Sequence, residues 1–333
     1  MSLVFGLCLS KKIYLVSDSR LSNEDGSFRD DFAKWLNLNA HLSVVVAGSA
    51  HQACWLLRKI RQETKEDWLF ADLEGYLQKN IHNLSDQYYA ETGRISNRVG
   101  MIFGGFDKDK KLTVDAVRLG EIMSSPVRDA GEGVRVMQTV DLQIREALAR
   151  KMLEYMAKGK NVGSGDIIEI DSPKPRLIAI TIKATNKGSE VIFDNAECYD
   201  FLVFNPKYKT KKIVLPDLLF GKLDYRDKSQ KTEESTLYQD QGYILTYVYR
   251  LLKERGWPTV GGQIIPLVMT PAFSGFAMAE HIYTPRGGGN SIRGGIISIN
   301  GRMHYYDENH ILKPFEFVYD FIKNMDAKGD AKI

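Results

Sequence analysis

The chain has 333 residues, of which 44% are hydrophobic and 26% charged, the balance of an ordinary soluble globular protein with a sizeable core. Its formal net charge is only +3 and its basic residues are scattered among acids, which argues against a nucleic-acid binder; the short run Lys207 to Lys212 reads as a solvated loop. Three distant cysteines, Cys8, Cys54 and Cys198, form neither a metal spacing nor a disulfide framework, and they fit a reducing compartment. Six histidines show no metal-ligand spacing, so no metal and no cofactor is expected. The apolar run that opens the chain lacks a preceding basic region and is too short to span a bilayer, and the protein reads as cytoplasmic with no membrane partner.

Two short aliphatic and β-branched segments, Leu3 to Leu9 and Ile13 to Ser17, predict a buried hairpin. A polar stretch, Ser22 to Asp31, leads to a third strand over Leu42 to Ala47. Directly after Gly48, apolar residues at three- and four-residue spacing (Ala50, Ala53, Cys54, Leu57, Ile60) predict a helix, and a second follows over Leu73 to Tyr89. Val99 to Phe106 and Leu112 to Val117 read as a hairpin across a turn at Asp107 to Lys110. A long helix over about 140–156 precedes strands at Leu177 to Ile182 and Val191 to Asp194. Helices in blocks between blocks of strands favour an α+β arrangement of antiparallel sheets over a doubly wound parallel one.

Near residue 205 the composition shifts, which divides the chain into 2–205 and a C-terminal extension, 206–333, of mixed α/β content and unassigned role. Within the extension, Leu237 to Arg255 reads as a helix, Ile264 to Met269 and Ile296 to Tyr305 as strands, and Pro314 to Asn324 as a last helix. Thr270 to Phe276 reads as a loop with aromatic anchors, and Arg286 to Gly295 as a glycine-rich loop without the lysine-serine of a phosphate site.

The N-terminal motifs occur at fixed intervals. SLVFGLCLS is followed by KKIYLVSDSRLS, then by DFAKW and VVVAGSA. Counted from Ser2, Asp18 lies sixteen positions on, Arg20 eighteen, Lys34 thirty-two and Gly48 forty-six. In these motifs and spacings residues 2 to 200 resemble proteasome β-subunits, members of the N-terminal-nucleophile hydrolases. The resemblance continues in GSAHQACWLLRKIRQ, which is similar to the family's first helix, and in RVGMIFGGFDKDKKLTVDAV, similar to its second hairpin.

The resemblance implies a four-layer αββα sandwich of two antiparallel sheets. It implies a peptide or amide substrate, Ser2 as the nucleophile, and a homo-oligomer built as a ring or stacked dimer. Ser2 becomes terminal once Met1 is removed, and then carries a hydroxyl and an α-amine on one Cα. The chemistry is coherent in its own right, because a serine hydroxyl needs a neighbouring base and an α-amine with a pKa of about 7.7–8 is a good one near neutral pH. A nearby Lys34 ammonium would disfavour protonation of that amine, Asp18 would hold Lys34 charged, and the Gly48 N–H is the implied oxyanion donor. Arg20 completes the implied set.

Departures from the family pattern fall around this set. Serine stands where threonine is usual, and Glu132 stands where the family has a serine between glycines. Asn161 stands near the family's aspartate, with Ser164 and Asp166 close by as substitutes. The same nucleophile would also serve a transpeptidase or ligase, and the same fold a non-catalytic scaffold subunit.

Overall fold

A computed structural model describes residues 2–8, 13–22, 26–93, 98–115, 157–159, 167–185, 188–196, 200–204, 211–214, 259–262, 264–270, 273–276, 296–299, 302–306, 311–314 and 316–328. They fall into two compact units. The first is drawn from Met1–Asp107, Pro175–Arg226 and Asp240–Ile333; the second, from Lys108–Lys174 and Asp227–Gln239, contains the later residues of β8 and the earlier residues of β9 below.

The opening hairpin is β1 (Val4–Cys8) with β2 (Ile13–Asp18), paired antiparallel from Val4↔Ser17 to Cys8↔Ile13. Every residue of both strands is buried, which is why they read as continuous apolar runs rather than as alternation. Short strands β3 (Leu21–Ser22), β4 (Phe28–Arg29), β5 (Phe32–Ala33) and β6 (Trp35–Asn37) then lead to β7 (Leu42–Gly48). Two helices follow, α1 (Ala50–Glu63) and α2 (Phe70–Thr92). Ser49 caps α1 by accepting the Gln52 N–H, and α2 stops at Gly93 in the left-handed conformation, whose N–H reaches Tyr89 O.

The remaining strands are β8 (Val99–Asp115), β9 (Ile167–Thr185), β10 (Gly188–Ala196), β11 (Asp200–Phe204), β12 (Lys211–Val214), β13 (Ile264–Thr270), β14 (Phe273–Phe276), β15 (Ile296–Ile299), β16 (Arg302–Tyr306), β17 (Leu312–Pro314) and β18 (Glu316–Phe317). A last helix, α3, covers Val318–Lys328. One sheet has the order β12-β11-β1-β2-β13-β14 and a second the order β10-β9-β8-β7-β6. The chain beyond residue 205 returns to the first of these, since β13 pairs antiparallel with β2 from Ile264↔Asp18 to Met269↔Ile13.

The fold is α+β, of the αββα type, and the described residues supply its helix, sheet and sheet layers. Val4, Ile13, Leu15, Leu202 and Leu267 of one sheet pack on Val45, Ala47, Ile102 and Leu177 of the other. The opposite face of the five-stranded sheet, with Val44, Val46, Met101, Phe103 and Ile180, packs on Trp55, Leu57, Ile60, Leu73, Leu77, Val318 and Ile322 of the helices. Trp55 is wholly buried there, edge-on to Tyr88 at 5.6 Å. Trp55→Ala is expected to lower the unfolding free energy by about 3–5 kcal/mol in a denaturant titration. Trp55→Phe should cost much less, because it keeps a ring and removes an indole N–H that has no hydrogen-bond partner among the described residues.

Several sequence expectations are corrected. The segment expected to turn at Asp107 to Lys110 lies within a single seventeen-residue strand, β8, although its Asp and Lys residues have turn-like composition. The single strand expected over Ile296 to Tyr305 is the hairpin β15–β16, with Ile299 opposite Arg302 around Asn300-Gly301, the strongest short hairpin signal. The aromatic loop is partly strand, Phe273–Phe276 pairing with β13, and Lys211 and Lys212 of the basic run lie in β12. The last helix starts at Val318 rather than Pro314, because 312–314 and 316–317 are strands. The helices expected over 140–156 and 237–255, and the glycine-rich loop, lie outside the described residues.

Candidate active site

The start of β1 and the end of β2 converge on Asp18. The Leu3 N–H donates to Asp18 Oδ1 at 3.0 Å, and the Asp18 N–H donates back to Leu3 O at 3.2 Å, so the backbone just after Ser2 is fixed on both sides. Ser2 itself is only 7% exposed. Lys34 Nζ donates to the same Asp18 Oδ1 at 2.7 Å. The Lys34 head group and the Leu3 N–H thus share one carboxylate oxygen. Asp18 Oδ2 accepts from Arg20 N–H at 3.3 Å and from Gly261 N–H at 3.4 Å.

Asp18 and Lys34 are both almost completely buried, with side chains 0% and 3% exposed. Burial pushes the Lys34 ammonium below its ordinary range, because desolvation outweighs the opposing pull of Asp18. Lys34 is held from behind by its own carbonyl, which accepts the Val46 N–H at 2.9 Å.

Arg20 presents its backbone to Asp18 and its side chain elsewhere. The guanidinium forms a two-pronged pair with Asp30, Nε to Oδ1 at 2.7 Å and Nη2 to Oδ2 at 2.8 Å, and lies 3.8 Å from the centre of the Phe28 ring. The hydrogen bond to Asp30 raises its pKa above the ordinary arginine value, so it stays charged.

Gly48 ends β7 with φ +95°, and a Cβ there would sit 2.2 Å from Arg98 O. Both the left-handed backbone and the closeness of the Arg98 carbonyl demand glycine. Gly48→Ala is therefore expected to cost more than about 2 kcal/mol of stability by chemical denaturation, since strain and a backbone collision add.

The structure brings Asp18 and Lys34 together at the end of the β1–β2 hairpin, and Ser2 directly precedes Leu3, whose N–H bonds to Asp18. Glu132, Asn161, Ser164 and Asp166 lie outside the described residues. Sequence reasoning missed the Gly261-Gly262 corner, which precedes β13 and closes over this cluster. Gly262 has φ +73°, and a Cβ there would lie 2.3 Å from Ser19 Oγ and 2.8 Å from Asp30 Cβ. The signal was a glycine pair directly before a strand.

Cys8 and Cys54 are buried, the Cys8 thiol donating to Pro175 O at 3.4 Å, and burial raises the Cys54 pKa, which makes that thiol a poor nucleophile. Among the described residues no group of three or more His, Cys, Asp or Glu could hold a metal ion, and no helix is long and apolar enough to cross a membrane.

No curated protein matches the chain by sequence. Among solved structures, it is similar to the Gly-1 mutant of Anbu from Hyphomicrobium sp. strain MC1, with 13% identity, TM-score 0.38, and coverage of 84% of this chain and 89% of that one. It is also similar to Anbu from the same strain, with 12% identity, TM-score 0.37 and the same coverage. Residues 2–160 match the family model described as proteasome subunit. That stretch runs from Ser2 through Asp18, Lys34 and Gly48, and over it the chain is similar to proteasome subunits.

Proposed function

We propose that this protein is an N-terminal-nucleophile amidohydrolase, a peptidase that forms an acyl-enzyme on Ser2 once Met1 has been removed. The observation that supports this reading best is the single Asp18 oxygen that receives both Lys34 Nζ and the Leu3 N–H. A buried ammonium is thereby held beside the first residues of β1, where a terminal amine and hydroxyl would lie.

In this mechanism Ser2 Oγ attacks the substrate carbonyl carbon while its proton passes to the α-amine. Lys34 opposes full protonation of that amine in the resting enzyme and offsets the negative charge that develops on Oγ. The oxyanion is received by the Gly48 N–H. Collapse of the tetrahedral intermediate breaks the amide C–N bond, and the departing nitrogen takes the proton from the α-ammonium. Water, deprotonated by the same amine, then attacks the ester and releases the acid, restoring Ser2. Asp18 holds Lys34, and the Arg20 backbone N–H holds Asp18, without either touching the reacting atoms; substrates are peptides or other amides bound by a homo-oligomeric ring or stacked dimer.

The test is incubation with a peptide epoxyketone, an electrophile that closes a ring only with an amine and hydroxyl on adjacent carbons, followed by peptide mapping. Intact mass is read on the same sample. The expected result is loss of Met1 and one adduct on Ser2. Fully processed protein that takes no adduct would replace this reading with that of a non-catalytic scaffold subunit, and retained Met1 would do the same because it blocks the amine.

A further inference from the structure

The end of the chain is bonded to the segment that carries Lys34. β18 lies parallel to β5, with Glu316 opposite Phe32 and Phe317 opposite Ala33. The Glu316 N–H donates to Asp31 O at 2.9 Å, and its carboxylate pairs with Arg29. The Phe317 ring stands edge-on to the Trp35 indole, with centroids 5.7 Å apart and planes at 86°. Ala33 and Trp35 are the two chain neighbours of Lys34.

β18 is fixed in turn by α3. The Phe317 N–H is received by Asp320 Oδ2 at 3.1 Å, Val318 and Ile322 join the core that includes Phe32 and Leu36, and Phe321 meets Phe32 edge-on at 6.2 Å. The strands on either side of Lys34 have only two and three residues. Strands that short do not hold a position by themselves, so the backbone at Lys34 depends on what packs against it. On one side that is β7, through the Val46 N–H; on the other it is β18.

We infer that β18, acting through Phe317, is a positioning element of the Lys34–Asp18 site, so that the last strand of the chain sets the reactivity of its first residue. This rests on the reading of Lys34 as the ammonium that serves Ser2. Phe317 packs on a neighbour of Lys34 and acts through the backbone, and a small displacement of a reacting group is enough to lower a rate by large factors.

The test uses the full-length protein, wild type against Phe317→Ala and Phe317→Leu, with two readouts. One is the kinetics of epoxyketone labelling at Ser2; the other is mapping of Lys34 acylation by an amine-reactive ester. For Phe317→Ala the expected result is about a ten-fold fall in maximal inactivation rate at unchanged half-saturating probe concentration, together with new acylation at Lys34. Phe317→Leu, which keeps apolar bulk against Trp35, should recover most of the rate and the protection; should Phe317→Ala fail to fold, Glu316→Gln, which removes the ion pair of β18 with Arg29, carries the test, with a fall in rate expected and wild-type kinetics overturning the inference. Wild-type labelling kinetics in Phe317→Ala would overturn the inference even if Lys34 became acylated, because the contact would then be structural only. A wild type that takes no label at Ser2 overturns the functional reading instead. The inference falls with that reading, and the ester then reports only whether β18 shields Lys34.

Discussion

Ser2→Ala is expected to abolish epoxyketone labelling and to lower amide hydrolysis by on the order of 10³-fold or more, the scale on which removal of a nucleophile acts. Alanine is as small as serine, so Met1 should still be removed and the α-amine should still be present. The variant therefore isolates the hydroxyl. The terminus should also stay in place, because the bonds that hold it run from the Leu3 backbone to the carboxylate and the N–H of Asp18, which the substitution leaves intact. Ser2→Thr keeps the hydroxyl and adds a methyl that restricts its rotamer, and is expected to retain labelling. Peptide mapping after labelling, with intact mass as the control for processing, reads all three proteins. Labelled Ser2→Ala would move the nucleophile elsewhere in the chain and end the proposed mechanism.

The part of this site that was legible in the sequence is the part built from strands close together in the chain. Asp18 and Lys34 stand at the end of β2 and just after β5, so their contact follows from strand lengths and short connections. The antiparallel architecture was legible for a similar reason, since helix and strand periodicities are local. What the sequence did not reveal depends on partners more than two hundred residues away. Gly261 N–H reaches Asp18 across 243 positions, and the Arg29–Glu316 pair spans 287. Such contacts are set by sheet register and core packing, and no local pattern around residues 28–34 announces them. In β8 the miss is compositional, because the Asp and Lys residues that composition assigns to a turn continue the strand.

Asp18→Asn is expected to lower the unfolding free energy by about 3–5 kcal/mol and to remove labelling at Ser2, because it leaves a buried ammonium without its counter-ion. Lys34→Met should also remove labelling but cost less stability, about 1–3 kcal/mol, since the Asp18 carboxylate keeps the N–H groups of Leu3, Arg20 and Gly261 as donors. The double variant Asp18→Asn, Lys34→Met removes both charges and should be more stable than Asp18→Asn alone, which a denaturant-melt cycle reads directly. Additive losses would mean that the two groups are not coupled, against the 2.7 Å contact. The pH dependence carries its own sign. Burial holds the folded-state Lys34 pKa below the unfolded value of 10.5, so between the folded pKa and 10.5 the unfolded chain binds the extra proton. Stability should therefore rise with pH across that window in wild type relative to Lys34→Met. Labelling at Ser2 should instead fall on the alkaline side, at a pH below 10.5, as the Lys34 ammonium discharges. Opposite alkaline trends in stability and in reactivity, with the stability trend erased by Lys34→Met, would tie the two effects to one amine.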